Sequence, residues 1–308
     1  MEDFERLIER GHLHYSHGSY QRALECFRQA LTVEPDDSDA HAYLALTLFA
    51  QKRLHAAGLE AGRALALNPE SSMAHLAMAR VALGQRGFDA LRMHTETAIN
   101  LEHDNAFVLH QAAGLRYSIG EYDVAEEWAV RARDLAPDDA SIFALLGNIA
   151  RSRGELDKAM GLADMALSFE PDNGDALVLK GWLLLQKGLV AEAREHALWA
   201  LREDPTEGSA LSLLVAIKTR SSWSLGLWWR LNSFLWYGSK PRAIVLLIVL
   251  FLVMNASRMA LEDLGWVRAS EFLGYAWLGL CMYSWVGPSM FRRALEREMN
   301  PVHLNPKF

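Results

Sequence analysis

The sequence predicts an all-α protein, in which a solenoid of stacked helix pairs is followed by two apolar helices. Three observations predict this fold class. Prolines recur with a regular spacing over the first two thirds of the 308-residue chain. Small residues recur between them with the same spacing. Two strongly apolar stretches, 243–256 and 272–291, then follow near the C-terminus.

The prolines mark where each repeat ends. They stand at Pro35, Pro69, Pro137, Pro171 and Pro205, so one step in the series is twice as long as the others. His103 occupies the position that completes the series. Proline ends a helix because it lacks an N–H and restricts the residue before it. Each repeat unit is therefore predicted to hold two antiparallel helices.

Columns of small residues keep the same phase as the prolines. Five residues before each repeat end the chain has alanine, at Ala30, Ala64, Ala98, Ala132, Ala166 and Ala200. A second column holds Gly11, Ala45, Ala79, Ala113, Gly147 and Gly181. Small side chains let helix backbones approach closely. Because one helix pair cannot bury its apolar face alone, we expect the six pairs to stack on one continuous core.

The period and its columns resemble the tetratricopeptide repeat (TPR) family over about residues 4–207. The resemblance implies a superhelical solenoid of six repeats whose concave groove binds a protein or peptide ligand and performs no catalysis. It also implies groove-lining positions in the first helix of each repeat. The candidates at these positions are His12, Tyr15, Phe49, Arg80, Phe107, His110, Tyr117, Asn148, Arg151 and Trp182. For each of them, packing between helices is the alternative interpretation.

Charge and motif content exclude several other functions. Residues 1–217 carry 20 Lys+Arg against 33 Asp+Glu, a net charge of −13, which argues against nucleic-acid binding. Cys26 and Cys281 are too far apart in sequence to form a zinc motif. The sequence contains no phosphate-binding loop, dinucleotide fingerprint or nucleophile elbow. We therefore expect no enzyme activity, no catalytic residue, no cofactor and no metal.

We divide the chain into four parts by composition. Residues 1–207 are predicted to form the six repeats, and 208–238 a capping helix with a Trp-rich interfacial segment. Residues 239–292 are predicted to form a two-helix transmembrane hairpin, and 293–308 a basic cytoplasmic tail. The aromatic side chains expected at the membrane–water interface are Trp223, Trp228, Trp229, Trp236 and Tyr237.

The hairpin and its orientation follow from apolar length and from basic flanks. The run 243–256 gives only ~21 Å of helix against a hydrocarbon core of ~30 Å, so we expect it to extend to Leu261 with Arg258 reaching the headgroups. Lys and Arg concentrate before the first apolar stretch and after the second. This asymmetry predicts a multi-pass membrane protein with both termini cytoplasmic, in the inner membrane if the host is bacterial. The charged N-terminus predicts that no signal peptide is cleaved.

Two functional hypotheses remain open at this point. The first is a membrane-tethered scaffold that recruits a protein partner through the groove and contacts lipid through the hairpin. The alternative is an accessory subunit of a membrane enzyme, transporter or secretion complex, whose hairpin packs on partner helices. Neither the repeat columns nor the apolar stretches identify the partner.

Overall fold

The structure is a computed structural model that describes residues 2–16, 18–204, 207–221, 240–275 and 278. The chain divides into two compact units, Met1–Ala210 and Leu211–Phe308. All regular elements among the described residues are helices, with no strand. The first unit contains six antiparallel helix pairs, one for each repeat predicted from the sequence.

The helices of a pair are 13–15 residues long. The first helices of the six repeats are α1 (Glu2–Ser16), α3 (Ser38–Ala50), α5 (Ser72–Gln85), α7 (Ala106–Ser118), α9 (Ala140–Ser152) and α11 (Gly174–Gln186). The second helices are α2 (Tyr20–Val33), α4 (Leu54–Leu67), α6 (Phe88–Leu101), α8 (Tyr122–Leu135), α10 (Leu156–Phe169) and α12 (Val190–Glu203). Each helix packs against the other helix of its pair, and helices of neighbouring repeats contact each other along the array.

A capping side chain starts the first helix of every repeat from the second onward. These caps occupy a single column, at Asp37, Ser71, Asn105, Asp139 and Asn173. The Asp37 carboxylate accepts the Ala40 N–H at 2.6 Å, and the Asn173 amide oxygen accepts the Ala176 N–H at 3.0 Å. Each cap satisfies a backbone donor that the helix leaves free and contributes about 1 kcal/mol. The cap in the third inter-repeat loop persists although His103 replaces proline there, so α7 still begins in phase.

The turn inside each repeat passes through a left-handed residue at one fixed position. The residues are Gly18, Lys52, Arg86, Gly120, Gly154 and Gly188, with φ between +59° and +84°. None of the second helices that follow has a side-chain cap. The left-handed residue therefore sets the direction in which each second helix leaves the turn.

The small-residue columns predicted from the sequence form the buried contacts between helices. Every alanine of the column five residues before the repeat end has no exposed surface. A side chain at Gly147 would collide with the Leu179 side chain of the next repeat. Alanine and glycine are required here because the facing helix occupies the space that a larger side chain would need.

A buried arginine stabilises the packing of the third repeat on the fourth. Arg116 of α7 is 3% exposed and bonds to Glu96 at 2.6 Å, Glu121 at 2.5 Å and the Thr95 hydroxyl at 3.0 Å. Its guanidinium also lies 5.1 Å from the centre of the Trp128 ring. A buried charge of this kind is tolerated because all its partners are present, and removing one partner is costly.

Histidines link the repeat ends to the second helices in two successive repeats. His41 bonds through Nε2 to the Pro35 carbonyl at 3.0 Å and through Nδ1 to Glu60 at 2.7 Å. One repeat later, the histidine at position 75 bonds in the same way to the Pro69 carbonyl at 3.1 Å. Its Nδ1 faces the Nδ1 of a second histidine, His94, at 2.9 Å. The histidine of the first helix therefore contacts a carboxylate of the second helix in one repeat and a histidine at the equivalent position in the next.

The second unit is helical where it is described. Helix α13 (Gly208–Ser221) crosses the boundary between the units, and Leu213 and Leu214 within it are buried. Helix α14 (Lys240–Asp263) has 24 residues, and a further helical segment covers 267–275. Gly265 has a φ of +76° in the turn between the last two helices.

The predicted location in a membrane, as a multi-pass protein with both termini cytoplasmic, is wrong. Across the residues that the structure describes, no helix is both long enough and apolar enough to cross a bilayer. The uninterrupted apolar run within α14, 243–256, gives only ~21 Å of helix against a hydrocarbon core of ~30 Å.

Other parts of the predicted C-terminal arrangement lie outside the described residues. The second apolar stretch is described only at 272–275 and 278, and the basic tail 293–308 is outside. The five predicted interfacial aromatic residues are also outside: Trp223, Trp228, Trp229, Trp236 and Tyr237.

Replacing the left-handed glycine in the turn of the fifth repeat tests how much the backbone conformation matters. We expect Gly154→Ala to lower the free energy of unfolding by about 1 kcal/mol, because its φ is +83° and an added Cβ would meet no neighbour. The matched control is Gly161→Ala in α10, where the added Cβ also has open space. That change should raise stability by about 0.5–1 kcal/mol, since alanine favours a helix interior. Urea denaturation measures the free energy of unfolding of both variants. Equal changes in the two would contradict the expected cost of alanine in a left-handed conformation.

The paired histidines predict a pH dependence that one substitution reverses. Burial, together with the charge of His75, lowers the pKa of His94 below 6.5, so the unfolded chain binds the proton first as the pH falls. Stability should therefore decrease from about pH 7.5 to about pH 5.5. His94→Glu would place a carboxylate against His75, as Glu60 lies against His41. The carboxylate would favour the protonated form of His75, so the contribution of this pair to stability should increase as the pH falls over the same range. Denaturation midpoints at both pH values measure this, and parallel pH profiles would contradict it.

Candidate functional site

A cavity of about 340 Å³ lies on the inner wall of the repeat array. All its lining residues belong to the first helices α5, α7, α9 and α11. We call it the central cavity, and its lining residues are Arg80, His110, Gln111, Gly114, Tyr117, Ser141, Leu145, Asn148 and Asp175. Most of the lining side chains are polar or charged, so the wall offers hydrogen bonds and charges beside some apolar surface.

Arg80 and Gln111 form the α5–α7 edge of the central cavity. The Arg80 Nη2 donates to the Gln111 Oε1 at 2.7 Å. Gln111 is neutral, so this bond orients the guanidinium without neutralising its charge. The two residues come from successive repeats, and the stacking of α5 on α7 brings them together.

His110 lies half-buried between charges of opposite sign. Burial lowers the pKa of His110, and the charge of Arg80 lowers it further. The carboxylates of Asp139 and Asp175 act in the opposite direction and raise the pKa of His110. The imidazole therefore senses both Arg80 and Asp175, which stand on helices three repeats apart.

Asp175 is exposed to the solvent of the groove and stands in the first turn of α11. A helix N-terminus favours a negative charge. The surrounding protein nevertheless raises the pKa of Asp175, and the charge of His110 only partly offsets that effect. Its carboxylate is thus desolvated by the walls of the groove more than it is stabilised by a neighbouring cation.

Tyr117 and Asn148 supply hydrogen-bonding groups in the middle of the cavity. The Tyr117 hydroxyl lies 3.1 Å from the Ser152 hydroxyl of the next repeat. The Asn148 Nδ2 donates to the Ala144 carbonyl at 3.1 Å within its own helix. Its Oδ1 therefore keeps its capacity to accept a hydrogen bond from a bound molecule.

Three of the predicted groove residues pack inside the array. The ring of His12 contacts the ring of Tyr43, with ring centres 4.0 Å apart and planes tilted by 47°, and burial lowers the pKa of His12. Tyr15 contacts Tyr20 at 5.6 Å between ring centres. Tyr15 and Phe49 both pack against the core cluster of the first three repeats. For these three residues the geometry favours the alternative interpretation, packing between helices.

The remaining predicted residues lie at separate places. Phe107 is 49% exposed and lines a second cavity of about 300 Å³, formed by repeats two to four. Arg151 and Trp182 are half-buried and do not line the central cavity. The structure thus brings together four of the ten predicted residues: Arg80, His110, Tyr117 and Asn148.

Sequence reasoning missed five residues of the central cavity, although a signal for some of them was present. Ser141 and Asp175 stand one and two repeats after Phe107 in the same column of the repeat, and Gly114 stands between Arg80 and Asn148 in another. Applying these two columns to all six repeats would have found these three. Gln111 and Leu145 share a column that contains no predicted residue, so no such signal was present for them.

The two ends of the repeat array approach each other within the first unit. A Cβ at Gly18, in the turn of the first repeat, would lie 2.5 Å from the Asp204 Oδ2 at the end of the sixth. Tyr20, beside that turn, has its pKa raised by burial and by the charges of Asp204 and Glu207, while Arg80 lowers it. The first repeat and the end of the sixth therefore face one another across the groove.

A different cavity, of about 490 Å³, lies between the first two repeats. The pair formed by His41 and Glu60 lies on its wall, close to the loop that ends the first repeat. Because this pair holds the repeat end to α4, the cavity belongs to the packing of the solenoid. Within the described residues, no group of three or more His, Cys, Asp or Glu side chains could hold a metal ion.

Helix pairs that repeat at a constant period and present a polar inner wall define a class, the helical repeat proteins that bind along a concave surface. The family model described as "Tetratricopeptide repeat" matches residues 8–72, 111–169 and 166–208, together more than half of the chain. The chain therefore belongs to the tetratricopeptide repeat family, as its sequence columns predict. No curated protein matches the sequence.

Solved structures share this fold at low sequence identity. TTC0263, a TPR protein of Thermus thermophilus, is 24% identical, with a TM-score of 0.53 over 59% of this chain and 99% of its own. A tetratricopeptide repeat protein from Parabacteroides merdae is 16% identical, with a TM-score of 0.50 over 72% of this chain and 88% of its own. At these identities the likeness shows the fold alone.

The electrostatic arrangement of the central cavity can be read from the titration of His110. We expect Asp175→Asn to lower the pKa of His110, because it removes a negative charge that favours the imidazolium. Arg80→Gln should raise the pKa of His110 for the opposite reason. NMR titration of the imidazole resonances measures both shifts. Asp172→Asn, an exposed change outside the cavity, is the matched control and should leave the pKa unchanged.

Proposed function

We propose that this protein is an interaction adaptor, and that a protein or peptide partner binds along the inner wall of its repeats at the central cavity. The observation that carries the proposal is the composition of that wall. Charged and hydrogen-bonding side chains from four successive first helices face one cavity. Such groups fix the orientation of a bound partner, while the stacked helices supply a surface long enough to hold it.

The family assignment supports an interaction role. Tetratricopeptide repeats form scaffolds for binding proteins, and their groove is built by stacking rather than by catalytic loops. The side chains at the central cavity are consistent with this role. The guanidinium of Arg80 is oriented by a neutral amide, and arginines of this kind are common anchors at protein interfaces.

The proposed contact residues are those that line the central cavity. Arg80, His110, Tyr117 and Asn148 come from the predicted groove set, and Asp175 is added from the structure. Phe107 and the second cavity beside it could extend the contact toward the second repeat, since its exposed ring lies on the same series of first helices. His12, Tyr15 and Phe49 are expected to support the fold without touching the partner.

Photocrosslinking from the cavity tests the proposal in cells that express the full chain. A photoreactive residue at position 141 should capture a discrete protein, because Ser141 lines the central cavity. The same residue at position 165 is the matched control, since Met165 is 46% exposed on the second helix α10. Mass spectrometry of both samples should show an adduct that is specific to position 141.

Charge reversal at the cavity provides the second arm of this experiment. Adding Arg80→Glu to the position 141 variant should reduce the yield of the adduct at least tenfold, about 1.4 kcal/mol of binding free energy. Circular dichroism must show unchanged helicity. Identical adducts from positions 141 and 165, or an adduct that survives charge reversal, would place the partner elsewhere and contradict the proposal.

A further inference from the structure

Two side chains of opposite charge face the central cavity without an ion pair. Arg80 donates to the neutral Gln111, and no carboxylate among the described residues pairs with it. Asp175 likewise has neither an ion pair nor a hydrogen bond with any residue that the structure describes. A charged side chain on a second helix gives the contrasting case: Glu126 of α8 forms ion pairs with both Arg153 and Lys158.

The two charges belong to one site because both side chains line the central cavity together with His110. In agreement with this, Arg80 lowers and Asp175 raises the pKa of the imidazole. Arg80 and Asp175 nevertheless do not pair with each other, so each keeps its charge available. In the free protein neither charge has a counter-charge among the residues that the structure describes. A ligand that supplied both counter-charges would therefore gain a charge-assisted contact at each of them.

The shape of the groove restricts which partner can supply these charges. The turn at Gly18, in the first repeat, approaches Asp204 at the end of the sixth, and this approach narrows the groove. A helix with its side chains is ~10 Å across, so a narrowed groove admits an extended chain more readily than a helix.

The polar neutral groups of the wall favour an extended chain for a second reason. The backbone of such a chain has unsatisfied N–H and C=O groups, whereas a helix satisfies its own. The cavity offers the hydroxyl of Ser141, the hydroxyl of Tyr117 and the amide oxygen of Asn148. These groups can bond to a peptide backbone while Arg80 and Asp175 bond to its side chains.

We infer that the central cavity binds an extended peptide segment bearing one acidic and one basic side chain, with the acidic group on Arg80 and the basic group on Asp175. This inference rests on the proposed function and deepens it, because it states the chemistry of the partner. The carboxylate of the segment forms a charge-assisted bond with the oriented guanidinium, and its ammonium or guanidinium group pairs with the Asp175 carboxylate. Two opposite charges at a fixed separation also set the direction in which the segment lies.

Selection from a library of random decapeptides tests this assignment with the full-length protein. The wild-type protein should enrich peptides with an acidic and a basic residue at a constant separation. Arg80→Glu should exchange the acidic preference for a basic one, and Asp175→Lys should exchange the basic preference for an acidic one. Each reversal should weaken binding of the wild-type peptides at least tenfold, as measured by fluorescence anisotropy.

Matched controls separate this effect from a general change of charge. Arg63→Glu and Asp157→Lys reverse the charge of side chains that are 68% and 103% exposed and lie outside the central cavity. They should leave the selected peptides unchanged. The neutral variants Arg80→Gln and Asp175→Asn should lose the corresponding preference without acquiring the opposite one, which guards against misfolding of the reversed variants.

The outcomes distinguish this inference from the proposed function. If peptides bind but show no paired charges, or if their charges do not change with Arg80→Glu, the inference is overturned while the adaptor function stands. If no peptide is enriched, the inference is also overturned. The adaptor function then depends on the crosslinking result, which requires only that a protein binds at the cavity.

Discussion

The close approach of neighbouring helices through alanine and glycine is the contact on which the rest of this structure depends. The alanines five residues before each repeat end have no exposed surface, and Gly147 leaves no room for a side chain beside Leu179. Close contact at these columns fixes how far each helix pair rotates relative to the next. That rotation, accumulated along the six repeats, decides which side chains of the inner wall meet across several repeats.

Two further devices keep the repeats in phase. A capping side chain begins each first helix from the second repeat onward, and a left-handed residue directs each second helix out of its turn. Both recur with the period of the repeat. An unusual residue in another column, such as the proline column, therefore does not shift the helices that follow. His103 stands where the other inter-repeat loops have proline, yet Asn105 still caps α7 and the phase is kept.

Charge is used differently on the two sides of the array. Arg116 is buried with all its partners, and Glu126 of α8 pairs with cations of the next repeat. These pairs stabilise the stacking. Arg80 and Asp175, on the inner wall, face a shared cavity instead of each other. The stacking of the repeats therefore pairs Arg116 and Glu126 with their partners but keeps Arg80 and Asp175 apart. The packing of the solenoid thereby leaves two charges on the inner wall for the proposed partner.

The sequence by itself determined the helix pairs, their number and their phase. These properties are local: they depend on prolines, caps, glycines and small residues that recur at a fixed spacing. It also identified Arg80, His110, Tyr117 and Asn148, because the first-helix columns place side chains on the inner wall whatever the exact twist. The membrane hypothesis rested on apolar runs, basic flanks and a Trp-rich segment, and no helix among the described residues is long and apolar enough to cross a bilayer.

Only the tertiary structure decided which inner-wall residues meet. Arg80, His110 and Asp175 are far apart in sequence, and their convergence on one cavity depends on the accumulated rotation of four repeats. The same is true of Gly18 and Asp204, which the sequence separates by most of the array. His12 shows the converse, since its column predicts the groove but neighbouring rings enclose it. The reason is physical: a repeat pattern specifies each contact between neighbours, whereas a site spanning several repeats depends on the sum of those contacts.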